Sequence, residues 1–162
     1  MTINPDLQGR SYPAKEAYDV GREKIREFAR AVKATHPAHF ELDAAEALGH
    51  SDLVAPPTFA IIVAQRADAQ LIEDPDSGID FSRVVHADQR FIHHRPIVAG
   101  DRLVAELHVD GVRAMGGGAM ITTRSEIFAL TAGAAAPGEV ADAAREAVAT
   151  ATSSILVRGE GQ

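Results

Sequence analysis

From about residue 84 onward the chain alternates apolar and polar positions with a period of two. The stretches RVVHADQRFIHHRPI, LVAELHVDGV, AMITTRSEIFAL and ATATSSILVR are rich in β-branched and aromatic residues, a pattern that predicts four strands. Gly100-Asp101 and the run Gly116-Gly117-Gly118 stand between them as turns, and Gly111 inside a strand pattern predicts a bulge. Sequential strands joined by short turns predict an antiparallel meander. Upstream the period lengthens. Residues 12–20 read as a first strand ending at Gly21, and Arg22 to Lys33 places Ile25, Phe28, Ala29 and Val32 at helical spacing. From Thr58 to about Leu71 a second helix is apolar nearly all round its first two turns, Phe59 to Ala64 with Ile62 inside the run, so it must be surrounded. Pro56 and Pro57 suit its entry, where an N–H is unpaired anyway. A curved antiparallel sheet wrapped around that helix is the simplest assembly that buries it, giving an α+β fold.

Composition narrows the function classes. The chain has 162 residues, 46% hydrophobic and 24% charged, which suits a single domain over 1–162. A net charge of -7 argues against a nucleic-acid surface, whose affinity rests on clustered Lys and Arg. Without cysteine there is no disulfide frame, thiolate nucleophile or Cys-ligated zinc. No apolar run reaches the ~18 residues of a membrane span, and the polar start predicts a cytoplasmic address. Residues 131–144 are rich in Ala, Gly and Pro and read as a flexible surface insertion.

Candidate chemistry is sparse. The triple glycine joins strand to strand, whereas a phosphate-binding loop runs from a strand into a helix. His36 and His39 are three apart, but Pro37 between them spoils a helical metal site, so no metal is expected. His93 and His94 are adjacent on a strand and point to opposite faces. A serine-hydrolase elbow is absent.

The order of elements, together with REKIREFARAV, HPAHF, LGHSDLVAPPTFAI and RPIVAGDRL, resembles the MaoC-like hot-dog dehydratases. Among them it is most similar to the dehydratase N-terminal, A-type subunits of actinobacterial (3R)-hydroxyacyl-carrier-protein dehydratases. The resemblance spans nearly the whole chain. It implies a hot-dog fold, pairing into a dimer, and a substrate carried as an acyl-carrier-protein or coenzyme A thioester, with no cofactor. Catalytic members carry Gly-Asp-x-Asn-Pro-x-His and then Ala-Pro-Gly at the start of the central helix. Lys33 to His39 keeps the proline and the histidine, while Ala34 stands at the aspartate and Pro57 at the glycine. Dehydration of a 3-hydroxyacyl thioester needs a base for the α-proton and an acid for the hydroxyl. It also needs an N–H donor for the enolate-like oxygen, which proline lacks.

The resemblance therefore implies a subunit that shapes the acyl channel, with Pro57, Thr58, Phe59 and Ile62 against the substrate. A MaoC-like partner would supply the Asp-His pair in a heterodimer. His39 is the weak catalytic candidate of this chain. The alternatives are a self-sufficient homodimeric enoyl hydratase using His39, or a non-enzymatic acyl-binding homodimer. A hot-dog thioesterase would need a carboxylate near the helix start, and Asp68 lies nearly three turns in.

Overall fold

A computed structural model describes residues 3–131 and 144–159. Two two-residue strands, β1 (Ser11–Tyr12) and β2 (Tyr18–Asp19), precede the helices α1 (Arg22–Ala31), α2 (Leu42–Ala47) and α3 (Ile61–Glu73). Four long strands follow: β3 (Val84–His93), β4 (Arg102–Met115), β5 (Gly118–Leu130) and β6 (Arg145–Val157). The architecture is the expected α+β.

All pairings are antiparallel and run in the order β1-β4-β5-β6-β3, with β2 also on β4. The four strands do not form a simple meander. Strands β4, β5 and β6 are sequential neighbours, but β3 pairs with β6 at the far edge. The link after β3 does not turn back, because Ile97 and Ala99 pair instead with the 53–55 segment. Ala55 N–H donates to the Ile97 carbonyl at 2.8 Å and Ala99 N–H to the Leu53 carbonyl at 2.9 Å. The expected first strand is likewise split in two. Pro13 interrupts it and cannot donate to the β4 ladder.

The glycine signals read locally held. Gly116 and Gly117, with φ of 48° and 93°, turn a tight hairpin in which Met115 faces Gly118. The β4–β5 register slips between Val109 and Gly111, the expected bulge.

Helix α3 lies against the sheet through Val63, Ala64, Ala67 and Leu71, all buried. They meet Leu103, Leu107, Ile121 and Ile127 in one core cluster. Small residues at 64 and 67 let the helix axis come close to the strands, and the larger sheet side chains fill the remaining space. At its C-terminal end Tyr12 donates to Asp74 at 2.7 Å, and Arg10 pairs with the same carboxylate at 3.2 Å.

Two expectations about this helix need correction. It starts at Ile61 rather than within a residue or two of Thr58. After Pro56-Pro57 the chain makes i→i−3 bonds, Phe59 N–H to Pro56 and Ile61 N–H to Thr58, before it settles into α geometry. Nor do the described residues surround the helix. Ile61 and Ile62 are only half-buried, and Gln65 and Arg66 are exposed. The apolar residues at the helix start thus divide between the sheet and a flank that the described residues leave partly open.

The segment read as an insertion falls, apart from its end residues, outside the described residues. At its borders the Thr131 N–H and hydroxyl both donate to the Ala144 carbonyl at 3.0 Å. We propose that replacing residues 132–143 by a short turn leaves the fold intact, since closure entropy changes slowly with loop length. A soluble shortened chain with an unchanged urea midpoint is expected; aggregation would refute it. Leu71→Ala should cost about 2–5 kcal/mol in urea unfolding. Ile62→Ala, at a half-buried position, should cost clearly less.

Candidate functional site

The loop after α1 begins with a left-handed residue. Lys33 has φ of 58°, and Ala34 N–H bonds back to the Ala29 carbonyl at 2.8 Å, terminating the helix. This is the position of glycine in the catalytic loop pattern, so the backbone here follows a glycine's path with a lysine on it. A 3-10 turn, Pro37–His39, follows, with the His36 ring accepting the Ala38 N–H at 3.1 Å. Arg26 donates to the Phe40 carbonyl at 3.0 Å and fastens the end of the turn to α1.

His39 Nδ1 lies 2.6 Å from the Val54 carbonyl oxygen. A carbonyl only accepts, so Nδ1 carries the proton, and Nε2 of the neutral ring keeps its lone pair. The ring is half-buried, with His36 6.2 Å away centre to centre. His39 is thereby held in the tautomer a base needs. Ala34, at the aspartate position of the catalytic loop pattern, has no polar side chain to accompany it. Among the described residues no group of three His, Asp or Glu side chains is arranged to hold a metal.

The Val54 carbonyl that orients His39 is itself placed by the PIVAGD segment. Val54 bridges Val98, and its N–H donates to the Ala38 carbonyl at 3.0 Å. Asp101 braces this segment. It receives Arg95 through two bonds of 2.8 and 2.9 Å and the Val98 N–H at 2.9 Å. The paired carboxylate raises the Arg95 pKa. Arg22 grips Asp52 with two 2.9 Å bonds and ties the same loop to α1.

The four channel candidates do not share one cavity. Pro57 and Thr58 are exposed. Phe59 is fully buried, edge-on to Phe28 at 5.3 Å and tilted to Tyr18 at 6.3 Å. Ile62 lines a groove with Phe28 and Ala31 between α1 and α3.

A separate cavity of about 510 Å³ opens on the other flank of α3, lined among others by Ile61, Asp68, Ile72, Val84, His86 and Ser153. Ser153 on its wall belongs to a polar row across the sheet, where Gln89, Ser153 and Thr123 are successive register partners on β3, β6 and β5. Thr123 donates to Asp68 Oδ1 at 3.1 Å. Gln89 gives its amide N–H to the Thr152 carbonyl at 3.2 Å, which fixes its oxygen to accept Ser153 Oγ at 2.6 Å and His86 Nε2 at 3.1 Å. Asp68, set aside in the sequence as a thioesterase carboxylate because it lies nearly three turns past Thr58, is placed beside this row by its bond from Thr123. Thr123, Ser153 and Gln89 are brought together by the β5–β6 and β3–β6 pairings, which no local sequence pattern specifies.

Comparison with known proteins now defines the class. The chain matches the FAS1-like dehydratase domain region over residues 6–131 and belongs to that family. It is 50% identical over 160 residues to the UPF0336 protein Lxx02810 of Leifsonia xyli subsp. xyli, covering 99% of both chains. A UPF0336 protein of Clavibacter michiganensis subsp. michiganensis is 49% identical over 160 residues, again 99% of each. Among solved structures it resembles the C-terminally truncated (3R)-hydroxyacyl-ACP dehydratase HadBC complex of Mycobacterium tuberculosis. That match has 35% identity and a TM-score of 0.75 over 93% of this chain and 97% of that one. A MaoC-like dehydratase is 31% identical with a TM-score of 0.77, covering 95% of this chain and 43% of that one. The fold is the expected hot-dog fold. No helix among the described residues is long and apolar enough to cross a membrane.

Burial pushes the Asp68 carboxyl up from 3.8 to about 6, against the opposing pull of Thr123 and His86. The folded state therefore holds a proton between about pH 4 and pH 6 that the unfolded chain has lost, and stability falls as pH rises through that window. The shift corresponds to about 3 kcal/mol lost above pH 7. Asp68→Asn, which keeps an acceptor for Thr123, should be more stable than the wild type in urea at about pH 7.5, the gap closing near pH 4. An equal gap at both pH values would contradict this.

Proposed function

We propose that this chain is the channel-forming, non-catalytic subunit of a (3R)-hydroxyacyl thioester dehydratase acting in fatty-acid elongation. The observation that carries the reading is the 33–39 loop, in which His39 Nδ1 is bound to the Val54 carbonyl while Ala34 stands where the resemblance asks for an aspartate. A lone imidazole can take the α-proton but leaves the departing hydroxyl without a proton donor. Pro57 withholds an N–H where the resemblance asks for one. Each loss ordinarily costs about a hundredfold or more in rate.

A second chain would supply the Asp-His pair, in a heterodimer related to the HadBC complex that this chain resembles. The uncovered features fit such a partner. Among the described residues strand β3 pairs only on its β6 side, and Val85 and Ile92 on it are 42% and 51% exposed. A ten-residue free edge needs cover. The acyl group would arrive on carrier-protein phosphopantetheine or coenzyme A. Water elimination beside an activated carbonyl requires no organic cofactor or metal.

The His39 tautomer favours one competing reading, a self-sufficient homodimeric hydratase, because Nε2 stands ready as a base. The two are separated by assaying hydration of a crotonyl thioester by the purified chain alone and after coexpression with a MaoC-like chain bearing intact Asp and His. Negligible turnover alone and a gain of at least about a hundredfold in the complex are expected. Robust turnover by the isolated chain, abolished by His39→Ala, would overturn the subunit reading. Tight acyl-thioester binding with neither activity nor pairing would make the chain an acyl-binding homodimer.

A further inference from the structure

A cavity of about 700 Å³ opens at the hairpin end of β4 and β5. It lies at the other end of β4 from the PIVAGD seam that holds His39, and it shares no lining residue with the four channel candidates. Part of its wall is aliphatic, formed by Ile79, Val112, Ala114, Ala119 and Val157. Another part is bare backbone. A Cβ at Gly118 would run into the Val157 carbonyl oxygen and one at Gly159 into that of Gly117, so the hairpin and the end of β6 meet main chain to main chain. The volume is that of a site for a small organic ligand.

Two arginines line the same cavity, and the sheet sets them side by side. The β3–β6 ladder pairs Val84 with Val157, and one step further the Arg158 N–H donates to the Arg83 carbonyl at 3.1 Å. Arg83 and Arg158 therefore stand opposite one another, a relation in which like charges repel. Asp80 lies 3.4 Å from Arg83 Nε, but its other oxygen is taken by the Ser82 N–H and hydroxyl. Arg158 is exposed and pairs with no carboxylate among the described residues. The lining thus carries two guanidinium groups against one carboxylate, a surplus of positive charge in a chain whose net charge is -7.

We propose that this cavity binds a small monocarboxylate with an apolar body, the carboxylate held by Arg83 and Arg158 and the body lying against the aliphatic wall. Each guanidinium offers paired N–H groups that match the two oxygens of a carboxylate, and an anion shared by both turns their repulsion into attraction. One surplus positive charge suits one negative charge. A polyphosphate would bring more charge than the lining answers, and an ammonium would add a third cation. A neutral molecule would fill the apolar part and leave the two arginines opposed. A thioester has no free carboxylate, so this ligand is not the substrate class of the dehydratase reading. The site is independent of that reading, since neither His39 nor the start of α3 contributes to it.

The experiment is calorimetric titration of the full chain at low salt with three probes of one shape and different charge: phenylbutanoate, phenylbutanol and phenylbutylamine. The carboxylate should bind about tenfold or more tightly than the alcohol, and the amine more weakly than either. Arg158→Gln should cut the preference for carboxylate over alcohol by about fivefold or more. It should not lower the urea midpoint of the free chain, because it also removes a like-charge contact. Arg158→Glu should abolish carboxylate binding, and Ala114→Trp, which fills the cavity from an exposed position, should weaken it by about tenfold or more. Equal affinities for acid and alcohol, no binding of the acid at millimolar concentration, or a preference that survives both Arg158 variants would overturn the proposal. So would a lowered urea midpoint in Arg158→Gln, which would make Arg158 a structural contact, or undiminished binding in Ala114→Trp, which would put the ligand elsewhere.

Discussion

The constraint on which the structure depends is the close approach of α3 to the concave face of the sheet. Ala64 and Ala67 make that approach possible, and Val63 and Leu71 fill the space on either side. A larger residue at 64 or 67 would push the helix away from β4 and β5, and the cost would be felt by the whole cluster from Leu103 to Ile127. The same closeness brings Asp68, one turn beyond Ala64 on the helix, within reach of Thr123. Packing therefore decides where the polar chemistry of the interior can sit.

A second dependency runs through the loops. The Arg95–Asp101 pair closes the PIVAGD turn, the turn pairs with the 53–55 segment, and the Val54 carbonyl orients His39. APPTF and PIVAGD, weak signals singly, are linked because they are two sides of one hydrogen-bonded seam. His39 keeps its orientation through backbone contacts that any side chain at residue 34 would leave in place. A loop with alanine at residue 34 can for this reason keep the shape that orients His39.

The sequence made most elements legible where a local rule operates. Period-two alternation located β3 to β6, the glycines marked the hairpin and the bulge, and the proline pair marked the approach to α3. What it hid is non-local. Nothing near residue 90 says that β3 will pair with a strand more than fifty residues later, and without that pairing the row Gln89–Ser153–Thr123 has no meaning. The run Phe59 to Ala64 showed that the helix start is apolar on all sides. It did not show that Phe59 belongs to the α1 side, Val63 to the sheet and Ile62 to a half-open groove.

The polar row is also where the fold works against its own stability. Asp68, Thr123 and Ser153 occupy positions that apolar residues of similar size would fill without a desolvation cost, and burial holds the Asp68 carboxyl at a pKa of about 6. The bonds from Thr123 and Ser153 satisfy their own hydroxyls, yet Asp68 keeps one oxygen open. A packing role alone does not account for an open oxygen in a cavity with mostly apolar walls, because alanine or leucine would serve packing better there. Asp68 thus carries a desolvation cost in the folded chain, and the bond from Thr123, which ties α3 to β5, is what the interior sets against it.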